Sequence, residues 1–145
     1  MRRLHIRFRK REPCLTIHRG AFHNNKLVYI MCAYKKIRYP SGKSKIVYIG
    51  TTKNGANRIA GSAAYRGRFL LDRYRLSHFK VHTVACKGVK GAGTWRKLEA
   101  ALILNFFEIF GKVPLANKNR PKIASKEVRK YFSEEKIEDA IDYFS

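Results

Sequence analysis

The segment KLVYIMCAYKKIRYPSGKSKIVYIGTT, residues 26–52, decides the fold of this chain. It contains two runs rich in β-branched and aromatic residues, KLVYIMCAYKK and KIVYIGTT, on either side of the turn signal Pro-Ser-Gly. This order predicts two antiparallel strands joined as a hairpin. The basic residues between the strand cores are expected to form a loop: Lys35, Lys36, Arg38, Lys43 and Lys45.

The hairpin carries two tyrosines, Tyr29 and Tyr48. Their numbers add to an odd total, as they do for opposed residues in a hairpin with a two-residue turn, so both rings can point to one face. A tight turn would nonetheless pair Tyr48 with Lys35, about 20 Å from Tyr29 at the rise of a strand. The two rings are therefore expected to meet only if the ladder ends early and residues 34–44 form a wide loop.

Helices and a third strand follow the hairpin. The sequence around Arg58 is helical but interrupted by Gly61, and GRFLLDRYRLSHF predicts a second helix before the strand FKVHTVAC. In TWRKLEAALILNFFEIFG, Thr94 is suited to cap a long helix and Gly111 to end it. The elements predict an α+β fold, with a small mixed or antiparallel three-stranded sheet flanked by helices.

The chain divides into a core and two extensions. Residues 27–118 contain the predicted sheet and its helices. Residues 1–26 form a basic N-terminal arm, in which apolar and basic residues alternate as they do in a strand. Residues 119–145 predict a basic loop and a C-terminal helical extension.

The 145-residue chain is strongly basic, with 32 Lys and Arg against ten Asp and Glu and a formal net charge of +22. Residues 1–126 hold 29 of the bases and four of the acids, a net charge of +25. A field of this strength attracts polyanions, so nucleic acid is the expected partner. The sequence has neither a long apolar span nor the apolar part of a secretory signal. We therefore expect no membrane binding and an intracellular protein, cytoplasmic or nucleoid-associated.

Acids are rare in this cationic part of the chain, and Glu99 lies on the predicted long helix beside an apolar face. A carboxylate that is partly shielded from water needs a compensating positive charge. That charge is either a basic side chain such as Arg96, in an ion pair, or a metal ion.

Several of these features resemble the GIY-YIG nuclease domain over residues 27–118. They are the runs LVYI and VYIG, Arg58 placed ten residues after Tyr48, and the later runs LEAALI and PLANK. Three differences from the family pattern are visible. The first motif reads LVY without its glycine, the two tyrosines are further apart than is usual, and Ser62 stands where a Tyr, His or Lys is common.

The resemblance implies a metal-dependent endonuclease that hydrolyses phosphodiester bonds in DNA. Tyr29 and Tyr48 would lie beside the scissile phosphate, one of them helping to activate the attacking water. Arg58 would bind the phosphate, whose developing charge a guanidinium meets in fork geometry. Tyr65 is the candidate for a further tyrosine after the arginine. Nearby cations such as Arg58 and Lys35 would lower the pKa of a tyrosine base.

The resemblance further implies that Glu99 holds one divalent metal ion, Mg²⁺ or Mn²⁺, and that Asn117 braces the site. A single carboxylate with several waters suits the coordination of Mg²⁺. Other basic side chains would bind the phosphate backbone without recognising the base sequence. These are Arg7, Arg9, Lys35, Lys36, Arg38, Lys43, Lys45, Lys118, Arg120 and Lys122.

The alternative is a non-catalytic, highly basic nucleic-acid-binding protein that keeps the fold, for example an RNA-binding component of a ribonucleoprotein. Charge fits both functions equally well. Glu99 favours the nuclease, because a carboxylate in a phosphate-binding cleft repels the ligand unless a metal ion lies between them.

Overall fold

The computed structural model describes residues 25–90 and 92–145. The predicted N-terminal strand, with Arg7 and Arg9, lies outside the described residues. The described elements, in chain order, are β1 (Leu27–Tyr39), β2 (Gly42–Thr52), α1 (Gly55–Arg68), β3 (Phe79–Val84), α2 (Thr94–Phe110), α3 (Ser125–Val128) and α4 (Glu134–Phe144).

The strands form one antiparallel sheet with the spatial order β2-β1-β3. The predicted α+β class, with a three-stranded sheet and flanking helices, is therefore confirmed. Within residues 25–90 and 92–145, no helix is both long enough and apolar enough to cross a membrane.

The register of the hairpin differs from the predicted one. The turn is tight, with Tyr39 opposite Gly42, and both strands extend through the segment predicted to be a wide loop. This turn lies one residue earlier than predicted, and in an unbroken ladder it would pair Tyr48 with Ala33. The pairing then shifts twice along β1, so that Tyr48 lies opposite Met31. Such shifts insert extra residues into one strand, as β-bulges do. The prediction of a wide basic loop was wrong, because irregular pairing moves the tyrosines into the same neighbourhood while the turn stays short.

Different elements cover the two faces of the sheet. On the α2 face, α2 and α4 pack against strand residues such as Ile30 and Ile49, and Phe106 lies in the middle of this cluster. On the α1 face, α1 and the chain after it cover a second cluster that contains Tyr29 and Tyr48. The alternation of side chains along the central strand β1 separates the two clusters.

The helices differ from the predicted ones at two points. α1 is continuous through Gly61, and a π-helical turn, Phe69–Arg73, follows it directly, so the two predicted helices are one unit. Thr94 is the first residue of α2 and makes no capping hydrogen bond, because Gly93 occupies the cap with φ 57°. Gly111 ends α2 with φ 74°, as the sequence predicts.

Candidate active site

The two tyrosines are neighbours on the α1 face. The ring centroids of Tyr29 and Tyr48 are 5.8 Å apart with an angle of 46° between the planes. The rings are 2% and 8% exposed, respectively. The hydroxyl of Tyr29 donates a hydrogen bond of 2.7 Å to Oγ of Ser62, a buried residue of α1. Strand and helix are thus joined by a polar contact in an otherwise apolar cluster.

Gly50, the glycine of the YIG run, makes room for this pair. A Cβ atom at Gly50 would lie 2.5 Å from Cε1 of Tyr48 and 2.9 Å from Cζ of Tyr29, both closer than real contacts allow. The rings pass over the strand at the position where a side chain would otherwise stand. Glycine is required at this position because it has no side chain, and not because the backbone angle is unusual.

Arg66 is the cation that the structure brings to the tyrosines. Its guanidinium carbon lies 3.7 Å from the centroid of the Tyr48 ring, in stacking range. Its Nη1 makes a long hydrogen bond of 3.5 Å to Ser62 Oγ. Its Nε is buried and has no hydrogen-bond partner among the described residues. The sequence analysis missed Arg66, although Ile59, Ser62 and Arg66 follow the i, i+3, i+7 spacing of an inward helix face.

Arg58 and Tyr65, the two α1 residues chosen from the sequence, border the stripe that contains Ser62 and Arg66. Both side chains are exposed, and that of Tyr65 is 76% exposed. The guanidinium of Arg66 lies 5.9 Å from the centroid of the Tyr65 ring, but neither Arg58 nor Tyr65 is buried in the tyrosine cluster. Each remains accessible to a bound ligand from the solvent side.

Burial raises the pKa of Tyr48 well above its ordinary value, and the neighbouring Tyr29 acts in the same direction. The Arg66 guanidinium opposes the shift without cancelling it. The prediction that cations lower the pKa of this tyrosine was therefore wrong, because desolvation exceeds the charge effect. At neutral pH the phenol keeps its proton and acts as a hydrogen-bond donor.

Glu99 lies on α2 and is partly buried. Burial raises the pKa of Glu99 to about 7, and the charge of Arg96 acts against this rise. In residues 25–90 and 92–145 no basic group lies within the 4.0 Å of an ion pair with it. The charge of this carboxylate also makes a small contribution to the raised pKa of Tyr48. Of the two partners expected for Glu99, the ion pair with Arg96 is not formed.

Asn117 covers the free edge of β2. Its Oδ1 accepts a hydrogen bond of 3.0 Å from the N–H of Ile49, and its Nδ2 donates one of 2.8 Å to the carbonyl of the same residue. The N–H of Ala116 also donates to the carbonyl of Val47 at 2.9 Å. The side-chain amide thus replaces a neighbouring strand at an edge that would otherwise be open. Asn117 holds the strand that carries Tyr48.

The predicted phosphate-gripping residues fall into two exposed groups. Arg38 and Lys43 are directly opposed near the hairpin turn, where like charges repel and an anion would relieve the repulsion. This end of the hairpin contacts the C-terminal end of α2 through the N–H of Ser41 and the carbonyl of Phe110, 3.1 Å apart. The second group follows the β2 edge, and all its members are exposed: Lys118, Arg120 and Lys122.

No group of three or more His, Cys, Asp or Glu side chains that could share a metal ion occurs among residues 25–90 and 92–145. A metal site here therefore depends on one carboxylate, that of Glu99, with the remaining ligands from water or substrate. Comparison of the chain with protein-family models, with curated proteins and with solved structures gave no match. Function is therefore inferred from the residues and their geometry.

Proposed function

We propose that this protein is a metal-dependent endonuclease of the GIY-YIG type that hydrolyses phosphodiester bonds in DNA. The observation that carries the proposal is Glu99, a partly buried carboxylate without an ion-pair partner in the described residues, whose charge acts on Tyr48 in a strongly cationic chain. Burying an unpaired carboxylate costs free energy, so its presence favours a bound cation. A titratable group with a strongly shifted pKa is also a frequent sign of a functional site.

Glu99 fits Mg²⁺ or Mn²⁺ as the single protein ligand, because Mg²⁺ keeps most of its waters and takes one or two carboxylates. A bound metal ion would act as a Lewis acid toward the phosphate. The protein's own contribution is to keep Glu99 partly out of water, which strengthens its attraction for a cation. The pKa of about 7 also means that a proton competes for the carboxylate below neutral pH.

Arg66 and Tyr48 are suited to hold the phosphate. The unpaired Nε of Arg66 has no partner in the described structure, and a phosphate oxygen would supply one. Tyr48 keeps its proton at neutral pH and can donate a hydrogen bond to a second oxygen. Together they stabilise the charge that develops when water attacks phosphorus and the bond to the leaving oxygen breaks.

Cleavage of supercoiled plasmid and of a branched duplex, with and without Mg²⁺ or Mn²⁺, tests the proposal. We expect metal-dependent nicking by the wild-type protein and none by Glu99→Ala. Metal-independent cleavage, or equal cleavage by the two proteins, would show that Glu99 does not hold a catalytic metal ion. Circular dichroism of Glu99→Ala checks that the variant is folded.

The two arginines of α1 provide a matched comparison. We expect Arg66→Ala to lower the cleavage rate by about 10²-fold, the size of effect seen when one charge-stabilising donor is lost. Arg58→Ala, at an exposed position on the same helix, should lower it by less than about tenfold. The opposite order would show that Arg58 holds the phosphate, as the family resemblance implies.

The second candidate is a nucleic-acid-binding protein without catalysis. Two observations favour it. Tyr29 and Tyr48 are only 2% and 8% exposed, and the hydroxyl of Tyr29 already donates a hydrogen bond to Ser62. In that case wild-type and Glu99→Ala proteins bind equally, and neither cleaves any substrate. Tight, strongly salt-dependent binding without cleavage would select this function.

A further inference from the structure

A second basic feature lies at the N-terminal end of α2, away from the tyrosines. It is a cleft of about 900 Å³, the size of a small-ligand site. Four cationic side chains line it, and its described lining contains no acid. The four cations are Lys26, Lys53, Lys90 and Arg96.

Trp95 is the aromatic residue in the lining of this cleft and the only tryptophan of the chain. Its side chain is partly exposed. The ammonium of Lys26 lies over the indole at 4.9 Å from its centroid, and the Arg96 guanidinium lies at 5.8 Å. The ammonium of Lys26 covers one face of the indole, so a flat ligand stacks there when this side chain moves aside.

We propose that this cleft binds a nucleotide of a nucleic-acid strand, with its base stacked on Trp95 and its phosphates held by the surrounding cations. Aromatic side chains set among basic residues are the usual means of holding single-stranded nucleic acid without reading its sequence. The flexible side chain of Lys26 moves off the indole as the base arrives and keeps its charge near the phosphate. The four cations explain why the cleft would bind an anion. The indole of Trp95 favours a ligand with a flat ring, such as a nucleic-acid base, over an acidic peptide.

The position of the cleft connects it to the candidate active site. Trp95 and Glu99 are four residues apart on α2, hence on the same side of the helix and about 6 Å apart along its axis. A strand that leaves the cleft along this side passes Glu99 next. Binding in the cleft does not depend on hydrolysis, so this proposal stands or falls separately from the proposed nuclease.

The single tryptophan gives a direct measurement. A short oligothymidylate is titrated into the wild-type protein in EDTA, where metal-dependent cleavage is absent, and indole fluorescence is recorded. We expect saturable quenching, with the same midpoint as the fluorescence anisotropy of a labelled copy of the oligonucleotide. Binding seen by anisotropy without quenching would place the strand elsewhere and overturn the proposal, as would the absence of any binding.

Substitutions distinguish the contribution of base stacking to the affinity from that of the positive charges. We expect Trp95→Ala to weaken binding by about tenfold to a hundredfold, the range for loss of one stacked base, and Trp95→Phe to recover most of the affinity. Lys53→Ala should flatten the dependence of affinity on salt, because one phosphate contact is lost. Tyr143→Ala, at an aromatic side chain that is 82% exposed, is the matched control and should bind as the wild type does.

Two outcomes would overturn the proposal even if the charge effects are seen. One is affinity of Trp95→Ala within twofold of wild type. The other is displacement of the oligonucleotide by a polyglutamate peptide at equal charge concentration, which would show a site for acidic chains in general. Should Trp95→Ala not fold, the quenching of the wild type and the affinity of Trp95→Phe decide the matter.

Discussion

The α2 face and the α1 face are made by the same three strands but differ in polarity. On the α2 face, Ile30, Ile49 and Phe106 are fully buried, and the hydroxyl of the phenol in this cluster, Tyr39, is paired with the carbonyl of Ile46. On the α1 face, the corresponding cluster contains two phenols, and a serine hydroxyl and a guanidinium contact them. The α2 face has the composition of a stabilising core. The α1 face buries polar groups where apolar side chains would pack better.

This difference indicates where function lies. Polar groups in a core reduce stability unless they are fully paired, and proteins retain such exceptions mainly at functional sites. Two exceptions of this kind occur among the described residues, the Oδ1 of Asn105 on α2 and the Nε of Arg66, and Arg66 is the one that contacts a tyrosine of the α1 face. Substitutions on the α2 face should therefore change stability most, and substitutions on the α1 face should change activity more than stability.

The largest effect on stability is expected for Phe106→Ala on the α2 face. Phe106 is 0% exposed and packs against the tilted ring of Phe110 and edge-on against Tyr39, at centroid distances of 4.5 and 5.0 Å. Removing the ring leaves a cavity, and the free energy of unfolding should fall by about 3–5 kcal/mol. Denaturant unfolding measures this loss. A loss below about 1 kcal/mol would contradict the description of the α2 face as the stabilising core.

Gly50→Ala should disturb the α1 face, because the new methyl group would overlap both tyrosine rings. We expect a loss of about 1–3 kcal/mol in the free energy of unfolding, as for overpacking, together with loss of cleavage. Gly61→Ala is the matched control, since no atom lies within 4 Å of a Cβ at that position of α1. It should stabilise the protein by about 0.5–1 kcal/mol. Equal stability of the two variants would show that the rings move aside freely.

Glu99→Gln should stabilise the protein at about pH 8 while abolishing metal-dependent cleavage. The folded protein raises the pKa of Glu99 from 4.5 to about 7, so the ionised carboxylate destabilises the fold above pH 7. The variant should be more stable by about 1–2 kcal/mol there, allowing for the solvent around a partly exposed group. The advantage should shrink as the pH falls through 7 and vanish near 4.5, because the wild-type side chain becomes neutral.

Denaturant unfolding of wild type and Glu99→Gln between about pH 5 and pH 8 measures this difference. Added Mn²⁺ provides the control, since it should raise the melting temperature of the wild type and leave the variant unchanged. A difference that is constant with pH would show that Glu99 does not titrate in this range.

The smallest effect is expected for Tyr29→Phe. The substitution removes the hydrogen bond from the phenol to Ser62 but keeps the ring. The free energy of unfolding should fall by about 0.5–1.5 kcal/mol, the usual net value of one hydrogen bond. Tyr143→Phe, at a solvent-exposed ring, should change it by less than about 0.5 kcal/mol. A loss comparable with that of Phe106→Ala would mean that the two faces do not differ as described.

Local signals in the sequence were sufficient for the two strands of the hairpin, the third strand β3, the end of α2 at Gly111 and the α+β class. Each depends on residues adjacent along the chain. The start of α2 and the continuity of α1 were mispredicted. A glycine in the left-handed region can replace a side-chain cap, and packing against the sheet stabilises a helix through an internal glycine.

By itself the sequence determined the cationic character of the chain, the choice of Tyr29, Tyr48 and Glu99 as residues of interest, and the two strands and the helix that carry them. Only the tertiary structure decided that irregular pairing brings the tyrosines together, that Arg66 stacks on Tyr48, and that burial raises the pKa of Tyr48 and Glu99. The physical reason is that periodicity and charge are properties of neighbouring residues. Register and desolvation depend on what distant segments place around each side chain.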